Sequence, residues 1–298
     1  MHTVEVSHIS KSFGKTQAVA DVSFYVERGE IFGLLGPNGA GKTTTIRIML
    51  DIFKADGGSV SVLEGAMTEE KKNRIGYMPE ERGLYQDIAL ERCLAYLGTL
   101  KGLSDVESHS RLSGWLERFD LAAHKNKKVK ELSKGMQQKA QIIAAVMHQP
   151  ELLIVDEPFA ALDPVNTQMV KDLMRELRDG GTAIIMSTHQ MHQVEELCDR
   201  ILLINQGRDV LYGELNDIRK QYSGHAVVVR AAGALPSVPG VKSIVPHNSE
   251  TKLELEDGIT PQDTLRNLVA QGAMLEKFEI AVPSLDEIFI RVVGKGGE

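Results

Sequence analysis

Cysteine is nearly absent: Cys93 and Cys198 are the only two, far apart and in neither CxxC nor metal-ligand spacing. That excludes a disulfide framework and a cysteine-based metal site, and the two read as reduced thiols on helices. Long apolar runs are also missing. The longest, such as Leu152-Leu153-Ile154-Val155, fall far short of the roughly 18 residues that a membrane-spanning helix requires. Residues 1–15 alternate apolar and polar positions, so no signal peptide is expected. There is no basic excess, with 34 Lys and Arg against 41 Asp and Glu for a net charge of −7; this argues against an electrostatic binder of nucleic acid. No fixed-period repeat or low-complexity tract occurs, and the four lysines within 125–130 read as a solvated face. The chain does have 298 residues, 42% of them apolar, enough for two domains with a sizeable core.

Positions 3–6 and 22–26 alternate apolar and polar residues, as antiparallel strands with one wet face do. Positions 31–35, 152–155 and 183–186 are nearly continuous apolar runs, the pattern of parallel strands covered on both faces. Helices are expected over 41–51, 88–101, 104–119, 134–148, 165–179 and 190–198. In 165–179 the apolar Val165, Met169, Val170, Leu173, Met174 and Leu177 recur every three or four residues, and Gly180-Gly181 follow as a stop. The alternation predicts an α/β core whose functional groups sit at the carboxyl ends of its strands. A strand pair at 201–205 and 209–212 and a polar helix at 214–222 lead to a linker, Ser223-Gly224-His225. Beyond it, strands at 226–230, 241–246, 252–255 and 275–281 with helices at 261–271 and 285–293 predict a small α+β domain.

Residues Gly36-Pro37-Asn38-Gly39-Ala40-Gly41-Lys42-Thr43 fill the pattern GxxxxGK[ST], directly after an apolar strand and directly before a helix. Glycines let successive backbone N–H groups turn inward, and the helix adds its positive end where phosphates would sit. Lys42 offers a point charge to the β and γ phosphates, and the Thr43 hydroxyl is a hard oxygen ligand for Mg²⁺. Such a loop needs an acidic partner at the end of a neighbouring buried strand. Asp156 emerges there to hold Mg²⁺ through water, with Glu157 beside it to polarise the attacking water; the same pair could cap a helix or close a turn. His189 follows another buried strand within reach of a γ-phosphate, or serves structure alone. With His192 it forms an HxxH pair that lacks a third ligand.

P-loops serve kinases, GTPases, helicases and transporters alike. The segment Leu132-Ser133-Lys134-Gly135-Met136-Gln137-Gln138-Lys139, about 90 residues after the P-loop, resembles the LSGGQ signature of ABC ATPases, departing from it at Lys134 and Met136. Phe13 ahead of the P-loop, Ala161-Leu162-Asp163 after the acidic pair, and His189 fall in that family's order. The resemblance runs from about Val4 to Leu215. It implies an α/β P-loop ABC ATPase domain over 1–222, with a mixed sheet and a helical signature subdomain at about 86–148. A small α+β C-terminal accessory domain over 225–298 follows. The cofactors implied are ATP and Mg²⁺. Phe13 would stack on adenine, although a single aromatic reads equally as core. The loop from Gly36 through Thr43 and Thr44 would hold the phosphates, with Thr43, Asp156 and Glu80 towards the metal and Glu157 and His189 in hydrolysis. Ser133 and Gly135 would contact the γ-phosphate bound by a second subunit, and Asp163 would link the two sites. Ser133 is also a good N-cap, and its helix would aim a positive end at an anion. The resemblance implies a head-to-tail homodimer with two sandwiched ATP molecules.

Where the family commonly has glutamine after the strand at 75–78, this chain has Glu80. The segment Gly76-Tyr77-Met78-Pro79-Glu80-Glu81-Arg82-Gly83-Leu84-Tyr85, together with Ser284-Leu285-Asp286-Glu287-Ile288-Phe289, resembles a subgroup of prokaryotic export-type ATPases. These serve separate membrane permeases of the ABC-2 type, which the loop Glu80-Glu81-Arg82 would touch. The expectation is an ATP-hydrolysing subunit, cytoplasmic and peripheral on the inner face of the cell membrane. One alternative is a soluble ABC ATPase acting on nucleic acid or ribosomes, opposed by the single nucleotide-binding unit, the lack of coiled-coil heptads and the acidic charge. Another is a ligand-sensing ATPase with the C-terminal domain as sensor.

Overall fold

The structure, a computed structural model, describes residues 2–81, 83–247 and 250–294, the side chain of His247 excepted. Two compact units divide between Gly213 and Glu214. The first is built on nine strands: β1 (Val4–Phe13), β2 (Thr16–Val26), β3 (Ile31–Leu35), β4 (Gly57–Val62), β5 (Ile75–Met78), β6 (Leu152–Asp156), β7 (Ala183–Ser187), β8 (Arg200–Asn205) and β9 (Arg208–Glu214). They form one mixed sheet in the order β4-β1-β2-β9-β8-β3-β7-β6-β5. The alternating segments pair antiparallel, Val4 opposite Val26 in β2 and opposite Val62 in β4. From β8 to β5 the neighbours run parallel.

Every residue of β3, β6 and β7 is buried, as their unbroken apolar composition demands. Their register is the feature that matters for function. Leu34 stands opposite Ser187, Ser187 opposite Asp156, and Val155 opposite Met78. With neighbouring strands about 5 Å apart, four carboxyl ends finish along one line. Near the other end of the sheet the buried Arg200 lies 4.1 Å from the Tyr25 ring and 4.9 Å from that of Tyr212, with Glu30 at 3.4 Å, so its charge is both paired and faced by aromatic rings.

The expected helices form within a few residues of their anticipated bounds: Lys42–Met49, Leu90–Leu100, Asp105–Arg118, Lys134–Val146, Pro164–Asp179 and Met191–Leu197. Those at Leu90–Leu100, Asp105–Arg118 and Lys134–Val146 pack on one another as the helical subdomain. Pro164–Asp179 starts on an Asp163 cap with proline at its first position and stops at Gly181, whose φ of 93° is a left-handed C-terminal turn. Several features depart from expectation. The first strand runs on to Phe13, since β2 pairs with it as far as Phe13 opposite Thr16, while β4 pairs with it only up to Ser10. β4, with the sequence GGSVSV, and the short helix Glu69–Asn73 were not anticipated. Finally, the turn between β8 and β9 is only Gln206-Gly207, both at positive φ (50° and 74°), as a tight hairpin needs.

The second unit holds the helix Leu215–Gln221 and strands β10 (Ala226–Ala231), β11 (Val241–His247), β12 (Glu250–Leu255) and β13 (Leu275–Ile280), antiparallel in the order β11-β12-β10-β13. Helices Pro261–Ala270 and Leu285–Gly294 complete it. Val227, Val229, Leu253, Leu255 and Leu268 form its core. The helix expected at 214–222 groups with this unit, and its Arg219 donates to the Pro283 carbonyl at 3.3 Å.

His148, just past Lys134–Val146, is buried, and desolvation together with the nearby Lys101 charge pushes its pKa down from 6.5 to about 4. The folded chain therefore keeps the ring neutral while the unfolded chain takes up a proton below about 6.5. The resulting stability is intact above that pH and is lost as pH falls towards 4. His148→Gln should flatten this acid limb, shrinking the stability difference between about pH 7 and pH 4.5 by roughly 2 kcal/mol. Melting curves of both proteins across that range provide the measurement; parallel acid limbs would show that His148 protonates freely in the folded chain.

Candidate nucleotide-binding site

The loop at 36–43 leaves β3 and enters the helix Lys42–Met49 through three glycines at positive φ. Two of them admit no other residue. A Cβ on Gly36 (φ 147°) would sit 2.2 Å from the Ile204 carbonyl oxygen, and one on Gly41 (φ 113°) 2.5 Å from that of Ala18. Gly41 caps the helix without a side-chain hydrogen bond, and no acidic residue occupies the first turn. Its leading amides are thus left for an anion. Lys42 is buried against its own loop, Nζ donating to the carbonyls of Gly36 at 2.8 Å and Pro37 at 3.2 Å. Burial lowers its pKa, opposed by the negative charges of Asp156, Glu157 and Glu80.

Opposite the loop, the Thr43 hydroxyl donates to Asp156 Oδ2 at 3.3 Å. Burial raises the Asp156 pKa, against the hydrogen bond from Thr43. A hard hydroxyl oxygen beside a carboxylate that burial drives towards neutrality fits Mg²⁺, whose charge would relieve the desolvated anion. Glu157 stands at φ 51°, a left-handed conformation costing on the order of 1–3 kcal/mol for a non-glycine residue. It is held from every side. Its amide donates to the Ser187 carbonyl at 2.8 Å, while its carboxylate accepts from Thr188 Oγ1 at 3.0 Å and from the His189 amide at 3.0 Å, with His189 Nδ1 at 2.6 Å. Gln138 Nε2 donates to the carbonyls of Glu157 and Pro158, both at 3.1 Å.

Of the expected residues, Asn38, Gly39, Ala40, Gly41, Lys42, Thr43, Thr44, Glu80, Asp156, Glu157 and His189 line one cleft of about 530 Å³, with Ala18. Gly36 and Pro37 contribute their carbonyls to Lys42 from within the same loop. Others lie outside the lining. Phe13 is 44% exposed and meets Phe53 edge-on at 5.3 Å, which overturns the core-aromatic alternative. Ser133 caps Lys134–Val146, accepting from the Met136 amide at 3.2 Å, and Asp163 caps Pro164–Asp179, accepting from the Asn166 amide at 2.9 Å. At Gly135 a Cβ would come within 3.0 Å of the Ala161 carbonyl oxygen. His192 faces Gln193, so the HxxH pair does not converge, and no cluster of three metal-ligating side chains occurs among the described residues. Arg82 lies outside the described residues. Ala18, Thr188 and Gln138 were not foreseen; a hydroxyl directly before His189 at a strand end was the one available hint, for Thr188.

Residues 19–160 match the family model described as ABC transporter, and residues 213–293 match the C-terminal domain of DrrA1-3-like ATP-binding proteins. The uncharacterised ABC transporter ATP-binding protein YhaQ of Bacillus subtilis is 39% identical over 97% of this chain and 98% of its own length. The Nod factor export ATP-binding protein I of Cupriavidus pinatubonensis is 30% identical over 98% of this chain and 91% of its own. A solved ATP-binding subunit of an ABC transporter superposes with a TM-score of 0.70 at 34% identity, over 74% of this chain and 93% of that one. With its P-loop, acidic strand end and signature helix carried on this sheet, and with such relatives along nearly its whole length, the chain belongs to the ABC transporter ATP-binding proteins.

Proposed function

We propose that this chain hydrolyses ATP to ADP and phosphate as one half of a head-to-tail homodimer, and that closing and reopening of the dimer drives separate membrane permease subunits in export. The observation that carries the reading is the convergence on one cleft of a glycine loop, Lys42 and a carboxylate, Glu157, pinned by Thr188 and His189. Lys42 and the uncapped helix amides hold the phosphates. Thr43 and Asp156 would hold Mg²⁺, which when bound neutralises charge on the transferring phosphoryl group. Glu157 accepts the proton of the attacking water, and Thr188 and His189 keep its carboxylate aimed. Ser133, Gly135 and Asp163, set apart from the chain's own cleft, face the nucleotide of the second subunit, and Phe13, already exposed, stacks on adenine.

Export rather than uptake is supported by the name of the Nod factor relative and by the DrrA1-3-like C-terminal match. No helix among the described residues is long and apolar enough to cross a membrane, so we place the chain peripherally on the inner face of the cell membrane, beside its permease. ATPase work falls to the first unit and a regulatory or dimer-supporting role to the second. Glu80, with Glu81 beside it, serves mainly in coupling, since a charged loop selects a partner by complementary charge more than it adds affinity.

Lys42→Ala should weaken ATP binding by about 10- to 100-fold, the worth of a charge-assisted contact to phosphate, read by titration with a fluorescent nucleotide; wild-type affinity would refute the site. Glu157→Gln keeps shape and binding but removes the base, so turnover should fall by about 10²–10⁴-fold, and undiminished phosphate release would reject the role. Glu80→Gln should retain basal hydrolysis in the purified chain while changing permease-stimulated hydrolysis. Collapse of the basal rate would move Glu80 into the hydrolytic machinery.

A further inference from the structure

The helix Lys134–Val146 buries four consecutive or near-consecutive polar side chains, Gln137, Gln138, Lys139 and Gln141. Each reaches a different stretch of chain. Gln137 Nε2 donates to the carbonyls of Val129 and Leu132 at 3.1 and 3.0 Å, Lys139 Nζ to Asn166 Oδ1 at 3.2 Å, and Gln141 Nε2 to the Glu81 carbonyl at 3.3 Å. Gln138 goes to the peptide groups of Glu157 and Pro158. Glu157 needs such support. It is a non-glycine residue at positive φ and it precedes a proline, two conditions that both oppose its conformation. Backbone states of this kind persist only where the surroundings over-determine them. Ser187 fixes the Glu157 amide, Thr188 and His189 fix the carboxylate, and Gln138 fixes the carbonyl end.

We propose that Gln138 is a positioning residue for hydrolysis, holding Glu157 in its left-handed conformation so that the carboxylate faces the cleft. This rests on the reading that Glu157 accepts the proton of the attacking water. The same helix begins at Ser133, so the segment assigned to the second subunit's nucleotide is tied by one side chain to the base of its own site.

The test uses the full chain with ATP and Mg²⁺. Gln138→Met keeps length and burial but removes the donor. It should lower kcat by about 10- to 100-fold, the effect of displacing a reacting group by a fraction of an ångström to an ångström, with KM for ATP and the affinity for a fluorescent nucleotide unchanged. Gln138→Lys, which retains a donor of similar reach, should recover most of kcat. The deciding measurement is the double variant: Gln138→Met added to Glu157→Gln should cause no further loss, because the group being positioned is already gone. An unchanged kcat in Gln138→Met, a rise in KM alone, a Lys variant as slow as the Met variant, or an additive loss in the double variant would each overturn the proposal. If Gln138→Met melts below the assay temperature, Gln138→Glu, similar in shape but a carboxylate against two carbonyls, takes its place. Failure of Glu157→Gln alone to slow turnover would instead sink the underlying reading of Glu157.

Discussion

Parallel strand register is the constraint on which the cleft depends. Because Leu34, Ser187 and Asp156 lie in one row across β3, β7 and β6, the P-loop, the Thr188–His189 pair and the two acids all leave the sheet at the same height. Neighbouring parallel strands are about 5 Å apart, and no loop adjustment could bring groups from three separate chain segments together as reliably. The requirement reaches back into composition. Such strands must be apolar on both faces, which is why β3, β6 and β7 carry no polar residue until the sheet ends, at Asp156 and Ser187.

Burial then gives the site its electrical character. Lys42 and Asp156 are both pushed towards their neutral forms by desolvation. Each is therefore better satisfied when a charge of opposite sign enters, phosphate for the lysine and a divalent cation for the aspartate. Glu80 adds a further negative charge to the same cleft wall. Thr188 and His189 keep Glu157 oriented without an adjacent arginine or lysine salt bridge to its carboxylate among the described contacts.

The buried strands and the P-loop were legible because each is dictated by a local rule, continuous apolar runs in one case and glycines that abut the Ile204 and Ala18 carbonyls in the other. The Ser133 cap was equally legible, and Asp163 proves to be a cap of the same kind where the next helix begins. A cap, however, announces only a helix start, and its assignment to another subunit's nucleotide came from resemblance. β4 is hidden from sequence pattern because its two glycines and two serines carry little strand propensity, and pairing with β1 alone recruits them. Phe13 could not be placed from one aromatic residue, and Gln138 gave no sign that its partners lie 19 and 20 residues further on. Tertiary hydrogen bonds of this kind have no period and no spacing, so sequence pattern is blind to them.

The bonds that Lys42 makes to the Gly36 and Pro37 carbonyls have an entropic consequence. Two of the three ammonium donors are engaged within the loop, so the flexible stem is immobilised before any ligand arrives and its rotamer entropy is not charged to binding. The loop thus carries its own cation in a fixed place, and an entering anion meets a charge whose position the chain has already set.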